Sequence, residues 1–459
     1  MRRRVLAVAF AATALLAPAV PVSADDDHPA TYIPSPESRS QNLKLLAELP
    51  RAGSITGYRN SDLAFWGRLA YAGNYEGFRI IDISAPEAPV VVADVACRGS
   101  QHDVSVWDGL LFLSVDAPLT GPQCGSTPVT APSVGFEGIR IFDVSNPSNP
   151  SYVGGVPTDC GSHTHTLVPD VANGRVLLYV SSYPASALGT TPFGTACSRL
   201  NSDGSQGHSK ISVVSVPLAA PATASVIAQP AVPLKDFRAM PGFRGCHDIT
   251  VFLELRRAAA CLSESQLWDI SDPVNPVVLA RIHNPNVDIW HSAAFTWDGR
   301  GVVFGDEAGG GSEPRCRSTD PSTTGAAWFY DVASLDNLDA TTVEPPRGHF
   351  KIPRVQGNNA NCTTHNFNFV PVQGRYILVS SNYAGGTSVA DFTNPSTPAE
   401  IAHLDPHGAN TWSTYWYNGF LYANDTGRGV DVMLLADAAR SGARKFAYMN
   451  PQTQEGLIR

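Results

Sequence analysis

The sequence predicts an all-β protein, a seven-bladed β-propeller of four-stranded antiparallel blades that is closed by an N-terminal strand. Two observations predict this fold class: a strand-and-turn motif that recurs along the chain, and a turn-rich composition with 39 Gly and 36 Pro in 459 residues. A chain of this length exceeds the usual size of a single core, so several domains or one repeat architecture are expected. The internal copies favour the repeat architecture.

The motif is clearest at 77–90, where the sequence reads GFRIIDISAPEAPV. Copies start at Gly138 (GIRIFDVSNPSNP), Gln266 (QLWDISDPVNP) and Thr387 (TSVADFTNPSTP). Each copy is a short apolar strand that ends in an Asp, followed by a turn in which Ser, Asn or Asp precedes Pro. A second Pro prevents the chain from continuing as a central strand, and another strand follows. The Asp is therefore interpreted as a turn cap and not as a catalytic carboxylate.

The strands around the motif fall into repeated units of four. In the first unit, strands are predicted at 62–66 and 69–72, then in the motif itself, then at 90–95, which is a meander. Six further units begin at His102, His165, His247, His291, His365 and Trp412. The seventh unit has no obvious fourth strand. The otherwise unassigned strand at 42–50 can supply it, which closes the ring and removes the exposed edge.

The two ends of the chain differ from the repeats. Residues 1–24 combine three arginines, an apolar run and a small-residue cleavage site, which is typical of a signal peptide. Residues 25–41 are polar and rich in Pro and Ser, and are predicted to be a flexible lead-in. The propeller is expected over 42–445 and a C-terminal tail over 446–459. No later stretch reaches the roughly 18 apolar residues that span a bilayer, so the expectation is a secreted, extracytoplasmic protein without a membrane span.

Charge and cysteine content narrow the partners and the compartment. The formal net charge of -9 repels phosphate backbones and anionic lipids, which argues against nucleic acid as a partner. The expected partner is a small molecule or an extracellular protein. Eight cysteines in an exported chain predict disulfides, although sequence alone does not fix their connectivity. Pairing each loop with a neighbouring strand start gives Cys97 with Cys124, Cys160 with Cys197 and Cys316 with Cys362, leaving Cys246 and Cys261.

The repeated strand and turn resemble the LVIVD-repeat family of β-propellers, whose units contain strands of the type GLRIIDISNPSNPVLVG. The resemblance covers about 42–445 and is strongest in the first, second, fourth and sixth units. It implies the propeller fold. It does not imply one activity, because propellers host unrelated chemistries.

A histidine occupies the same place in five consecutive units: His102, His165, His247, His291 and His365. The first strand of a propeller blade lies innermost, so these residues are predicted to ring the mouth of the central channel. Converging imidazoles suit a first-row transition metal, and copper or zinc is the expected ion. His163 and His407 lie beside the ring positions and are further candidates.

Each of these histidines also has a structural interpretation. A His-Asp or His-Ser step at a strand start can tie neighbouring blades together by hydrogen bonds. Acids at the ends of second strands arrive at the same mouth, and Asp306 and Glu307 are the candidate catalytic residues, as carriers of protons. Glu307 can equally be a metal ligand or a carboxylate that solvates its loop. The sequence contains no GxSxG elbow, Walker loop, HExxH or strand-linked GxGxxG.

Two functions remain open from the sequence. The layout is distantly similar to that of methanethiol oxidases of the selenium-binding type, propellers that use channel-face histidines for copper. This similarity favours a metal-dependent oxidase or hydrolase of a small molecule. The alternative is a non-enzymatic extracellular binding or scaffold protein, whose loops bind a partner and whose histidines are structural.

Overall fold

Seven antiparallel blades surround a central channel in the computed structural model, which confirms the predicted fold class. The structure describes residues 38–129, 135–182, 197, 207–233, 246–262, 264–335 and 345–458. The predicted signal peptide and the lead-in up to residue 37 lie outside these ranges. None of the helices in the described ranges is long and apolar enough to cross a bilayer.

The strands are numbered in chain order, and each blade is given from its innermost strand outward. Two strands precede the first blade: β1 (Ser38–Arg39) and β2 (Leu43–Pro50). Blade one contains β3 (Asn60–Trp66), β4 (Leu69–Asn74), β5 (Gly77–Asp82) and β6 (Val90–Ala96). Blade two contains β7 (Val104–Trp107), β8 (Leu110–Leu119), β9 (Phe136–Asp143) and β10 (Ser151–Pro157). Blade three contains β11 (Thr164–Asp170), β12 (Arg175–Ser181), β13 (Ser212–Pro217) and β14 (Ser225–Ala228).

The later blades repeat this order. Blade four contains β15 (Cys246–Phe252), β16 (Arg257–Leu262), β17 (Ser265–Asp269) and β18 (Val277–Ile282). Blade five contains β19 (Trp290–Phe295), β20 (Gly301–Asp306), β21 (Ala327–Asp331) and β22 (Gly348–Phe350). Blade six contains β23 (Phe367–Phe369), β24 (Ile377–Ser381), β25 (Thr387–Asp391) and β26 (Ala399–Asp405). Blade seven contains β27 (Thr411–Tyr417), β28 (Phe420–Asp425) and β29 (Gly429–Leu435).

Short segments complete the described chain. Two more strands follow blade seven, β30 (Tyr448–Met449) and β31 (Thr453–Gln454). The α-helices are α1 (Val332–Leu335) and α2 (Ala438–Gly442). Single 3₁₀ turns lie at Gly53–Ile55, Val171–Asn173, Pro221–Thr223 and Leu253–Leu255.

The aspartates that end the motif strands cap the turns that follow, as predicted. Asp82 Oδ1 accepts the backbone N–H of Ser84 at 2.8 Å. Asp143, Asp269 and Asp391 accept the N–H two residues further on, at 2.9, 2.8 and 2.8 Å. For Asp82, the bonds from Ser84 lower the pKa of the carboxyl. These four carboxylates therefore stabilise the turns after the motif strands and do not line the channel.

An N-terminal strand closes the ring. β2 pairs antiparallel with β29, in a register that runs from Leu43 opposite Leu435 to Pro50 opposite Gly429. It supplies the missing outer strand of blade seven, as the sequence predicts. β1 adds a fifth strand to blade six by pairing with β26. Pairing removes two exposed sheet edges and joins the start of the propeller to its end.

The C-terminal segment crosses the channel at the end opposite the histidines. β30 pairs with the last residues of β3, and β31 pairs in parallel with the last residues of β15. Between them, the side chain of Asn450 bonds to both backbone groups of Val106. Gln454 does the same at Phe295. The expected tail is therefore a strap that ties the inner strands of blades one, two, four and five together.

The three predicted disulfides are present: Cys97–Cys124, Cys160–Cys197 and Cys316–Cys362. Each joins a loop to a neighbouring strand start, and together they indicate an oxidising environment. Cys246 is buried at the start of β15. The side chain of Cys261, the other cysteine left over by the prediction, lies outside the described residues.

We expect Asn450→Ala to destabilise the protein through the strap. The amide of Asn450 is 2% exposed and holds Val106 N–H at 2.8 Å and Val106 C=O at 3.0 Å. Its removal leaves two buried backbone groups unpaired, at a cost of about 2 to 4 kcal/mol in the free energy of unfolding. Urea titration followed by circular dichroism measures this, with the exposed Ser441→Ala as control. Equal midpoints for the two variants would contradict the role of the strap.

Candidate metal centre

Four imidazoles follow one another along one side of the channel mouth. His247 and His291 lie near the starts of β15 and β19, and His365 lies just before β23. Ring centroids are 4.0 Å apart between His247 and His291, and 4.3 Å apart between His291 and His365. His163, just before β11, extends the line at 4.5 Å from His247. We call these four residues the histidine row.

Glu307 faces the histidine row from the end of the second strand of blade five. Its Oε2 lies 3.7 Å from His291 Nε2, and its Oε1 lies 3.8 Å from His365 Nε2. One ring nitrogen of His247, one of His291 and one oxygen of Glu307 all lie within 4.8 Å of one another, and all three residues are buried. Tyr383 donates its hydroxyl hydrogen to Glu307 and so fixes the orientation of the carboxylate.

Hydrogen bonds at Nδ1 set the tautomers of the two central imidazoles. His247 Nδ1 lies 3.2 Å from Asp248 Oδ1, and His291 Nδ1 lies 2.6 Å from Ser292 Oγ. Ser292 donates its hydroxyl hydrogen to Asp248 Oδ2 at 2.8 Å, so its oxygen accepts from His291. Nδ1 therefore carries the proton in both rings, and Nε2 is the basic nitrogen.

The outer two imidazoles of the row are oriented in the same way. His365 Nδ1 donates to the backbone carbonyl of Trp412. His163 Nδ1 donates to Asp116 Oδ2 at 2.7 Å. Histidines that bind metals commonly donate their second ring N–H to a carboxylate or carbonyl, which fixes the ring and raises its basicity. His247, His365 and His163 show this arrangement directly, and His291 reaches the Asp248 carboxylate through the Ser292 hydroxyl.

Burial and neighbouring charges give the site its ionisation states. Burial, aided by the charges of the neighbouring imidazoles, holds the pKa of His291 well below its usual range, so the ring is neutral at physiological pH. Burial acts to raise the pKa of Asp248, but hydrogen bonds from His247 and Ser292 outweigh it and keep that pKa below its usual value. The neutral His291 ring thus lies close to an ionised carboxylate, a combination that favours a cation.

The structure does not bring all five predicted ring positions together, and His102 and His165 are the exceptions. His102 Nδ1 donates to the Asn74 carbonyl at 2.6 Å, which ties blade two to blade one. Both ring nitrogens of His165 are bonded to serine hydroxyls of blade two, at 2.7 Å to Ser105 and 2.8 Å to Ser114. Because both histidines are bonded between blades, they act as the tethers that the structural interpretation describes.

Asp306 and His407 lie outside the cluster as well. Asp306 accepts backbone N–H groups from Ile289 at 2.9 Å and Gly325 at 2.8 Å, so it anchors the residue before β19 and the far end of the loop after β20. Burial raises the pKa of Asp306 to about 7. His407 is exposed in the turn after β26. His163, the other additional candidate, does join the row.

Sequence reasoning missed a second layer of polar side chains below the row. Asp62 and Asp103 share a hydrogen bond, and Tyr415 donates to Asp62 Oδ1 at 2.6 Å. Burial raises the pKa of Asp62 to about 6, and burial together with the charge of Asp62 raises that of Asp103 well above its usual value. The sequence does carry a sign of this layer: in three units an aspartate directly follows the residue at the aligned histidine position, and these are Asp62, Asp103 and Asp248.

Three members of the histidine row, His247, His291 and His365, line one small cavity. The carboxylates of Asp62, Asp103 and Asp248 and the side chain of Gln452 in the strap also border it. Its volume of about 10 Å³ is room for one water molecule or one ion. An organic molecule does not fit there without movement of the surrounding side chains.

Comparison with known proteins supports the repeat and the fold. A family model described as LVIVD repeat matches residues 59–96 and 134–158, which are blade one and the outer part of blade two. The chain thus carries LVIVD repeats. No protein with a curated description matches it.

Solved structures that resemble the chain are remote in sequence. The computationally designed Ika8 protein is 10% identical over 84% of this chain and 99% of its own, with a TM-score of 0.44. The Dos1 propeller is 10% identical over 84% of this chain and 80% of its own, with a TM-score of 0.48. Similarity at this level says nothing about the function of this chain.

We expect Asp103→Asn to stabilise the protein increasingly as the pH rises. The folded state binds the proton of Asp103 more tightly than the unfolded chain, whose carboxyl pKa is near 3.9, so the wild type loses stability as pH rises above that value. The asparagine oxygen can accept the backbone N–H of His165, as Asp103 Oδ2 does at 2.7 Å. Its NH₂ group can donate to Asp62, as a protonated Asp103 does. The variant should match the wild type near pH 4 and exceed it by at least about 1 kcal/mol at pH 8.

Urea titrations at both pH values measure this difference. Asp143→Asn is the matched control, because the bonds from Ser145 lower the pKa of Asp143, so this variant should lose stability at pH 8. Equal stability of the Asp103 variant and the wild type at pH 8 would show that the buried pair is not protonated.

Proposed function

We propose that this protein binds one transition metal ion, zinc or copper, through His247, His291 and Glu307 at the mouth of the propeller channel. The observation that supports this most directly is the mutual approach of the three ligand atoms, within 4.8 Å. A metal held at 2.0–2.1 Å in tetrahedral geometry separates its ligands by roughly 3.4 Å. His291 Nε2 and Glu307 Oε2, at 3.7 Å, are close to that spacing already.

The donor set favours zinc or copper over harder ions. Two imidazoles and one carboxylate suit first-row transition metals, whereas calcium and magnesium prefer oxygen ligands throughout. Three protein ligands leave a fourth position open, as in catalytic sites. His365 Nε2, at 3.8 Å from Glu307 Oε1, is the fourth protein ligand if that position is filled. A neighbouring Asp248 supplies negative charge without being a ligand itself.

In this proposal the site acts as a metal-dependent oxidase or hydrolase of a small molecule. When bound, the ion would supply Lewis acidity in a hydrolase, whereas an oxidase would need the redox chemistry of copper, with the electrons supplied by the substrate. The cavity admits a molecule of the size of water, and a larger substrate would have to reach the ion from the open mouth. As a ligand, Glu307 is not available as the general base. Asp306 is likewise occupied by backbone N–H groups, so proton transfer falls to solvent or substrate.

The alternative is an extracellular binding or scaffold protein without catalysis. The inter-blade bonds of His102 and His165 favour it, because they show that the repeated histidine can be purely structural. Export itself is part of both proposals. It is supported by the three disulfides and by the apolar N-terminal segment of the sequence.

The double variant His247→Ala/His291→Ala tests the metal site. Protein dialysed against micromolar zinc or copper and then against metal-free buffer should retain about one ion per chain, measured by mass spectrometry of the metal. The double variant should retain none while keeping its circular dichroism spectrum. His349→Ala is the matched control, since His349 stacks on Trp328 in the outer part of blade five.

Two outcomes separate the alternatives. Loss of the ion in the double variant alone supports the metal site. The metal site is ruled out if the wild type retains no metal and if zinc and copper leave the wild type and the double variant equally stable to heat. The binding or scaffold function then remains.

A further inference from the structure

A cavity of about 290 Å³ lies against the strap, at the end of the propeller opposite the histidine row. One wall is the strap itself, from the residues before β30 to those after β31, and the other is the turns that follow β15 and β19. Its volume is just below the range of about 300 to 1,000 Å³ that is usual for small-molecule sites. Among the described residues, none that lines it also lines the small cavity beside the histidines. The cavity is therefore a separate site with room for a small organic molecule.

Aromatic side chains form the apolar part of the wall. Trp297, which is buried, and Phe446 stack with their ring centroids 5.0 Å apart. Tyr448 stacks on Trp66 at 4.6 Å and donates its hydroxyl hydrogen to Glu455, at 2.9 and 3.0 Å from the two carboxylate oxygens. This hydrogen bond joins the two arms of the strap. The aromatic wall is thus held in place before any ligand binds, which lowers the entropic cost of binding.

Four charged side chains border the same cavity, two acids and two bases: Glu254, Glu455, Arg444 and Lys445. In the described part of the chain, none of the four forms an ion pair. Arg444 instead lies over the Phe446 ring, 5.1 Å from its centroid, and donates to the Gly456 carbonyl at 3.4 Å. Burial, together with the charge of Glu254, raises the pKa of Glu455. Charges of both signs therefore border one cavity without neutralising each other.

We propose that this cavity binds a small zwitterion with an apolar side chain, a free α-amino acid. The two acids are the partners of its ammonium group, and the two bases are the partners of its carboxylate. Hydrogen bonds between oppositely charged groups are the strong ones, and arginine suits a carboxylate in particular. The rings of Trp297 and Phe446 offer an apolar surface to the side chain of the ligand. A plain amine or a plain carboxylate would leave one of the two pairs of charges without a partner.

Calorimetric titration of the full chain with L-phenylalanine at pH 7 tests the proposal. EDTA in the buffer keeps transition metals away from the histidine row, because amino acids themselves chelate such ions. The matched probes are phenethylamine, which lacks the carboxylate, and 3-phenylpropionate, which lacks the ammonium group. L-Phenylalanine should bind with a dissociation constant of about 1 mM or below. It should bind at least about ten times more tightly than either analogue, because each analogue loses the hydrogen bonds of one charged group.

Two single variants separate the two ends of the ligand. Glu254→Gln should weaken the binding of L-phenylalanine by about two- to fivefold and should not weaken that of 3-phenylpropionate. Lys445→Gln should weaken L-phenylalanine by the same factor and should not weaken phenethylamine. Both residues are exposed, so both variants should fold. Glu87→Gln, in an exposed turn, is the control that should keep the wild-type affinity.

Either of two results overturns the proposal. The first is no heat from L-phenylalanine at about 10 mM, roughly ten times the expected dissociation constant. The second is an analogue that binds as tightly as L-phenylalanine, which would make the cavity a site for a plain amine or a plain carboxylate. The variant His247→Ala/His291→Ala should bind L-phenylalanine like the wild type, so this proposal and the transition-metal site can fail separately.

Discussion

The pairing of β2 with β29 is the interaction on which the rest of the structure depends. It makes the last blade complete with residues from the start of the chain, and so fixes all seven inner strands around one axis. Once the ring is closed, the first residues of β15, β19 and β23 have to converge, although β15 and β23 begin more than 100 residues apart in the chain. The strap from β30 to β31 holds the opposite ends of the inner strands. Convergence of the histidines is thus a property of ring closure, and the site cannot form in an open sheet.

The histidine that starts a repeat unit either ties two blades together or faces the channel, and the nearby hydrogen-bond partners decide which. His102 and His165 find partners between blades, a backbone carbonyl in one case and two serine hydroxyls in the other. For His247 and His291 the acceptor at Nδ1 is Asp248, directly or through Ser292, and Nε2 is left on the channel side. An aspartate that follows the histidine therefore has two uses in this chain. Asp103 pairs with Asp62, and burial together with the charge of Asp62 raises its pKa, whereas hydrogen bonds keep the pKa of Asp248 low and it holds two imidazoles.

Most of the fold could be predicted from the sequence, and much less of the site. The Asp-Ser/Asn-Pro turns give the strand order, and the absent fourth strand of blade seven identifies the closing strand at 43–50. The cysteine pairs follow because each loop returns to the strand start beside it. Side-chain direction does not follow from register: His102 and His291 align perfectly, yet one ring lies between blades and the other lines the channel. The strap also escaped sequence reasoning, since it does not belong to the repeat and its contacts span up to 344 residues.

The channel mouth brings imidazoles and carboxylates together, and the central claim is that a metal ion joins His247, His291 and Glu307. Anomalous diffraction at the zinc absorption edge, from crystals of zinc-loaded protein, tests this claim most directly. The account predicts one strong peak with His247, His291 and Glu307 as ligands at about 2.0 to 2.1 Å. Ordered water between these side chains, with any anomalous peaks confined to surface residues, would contradict it.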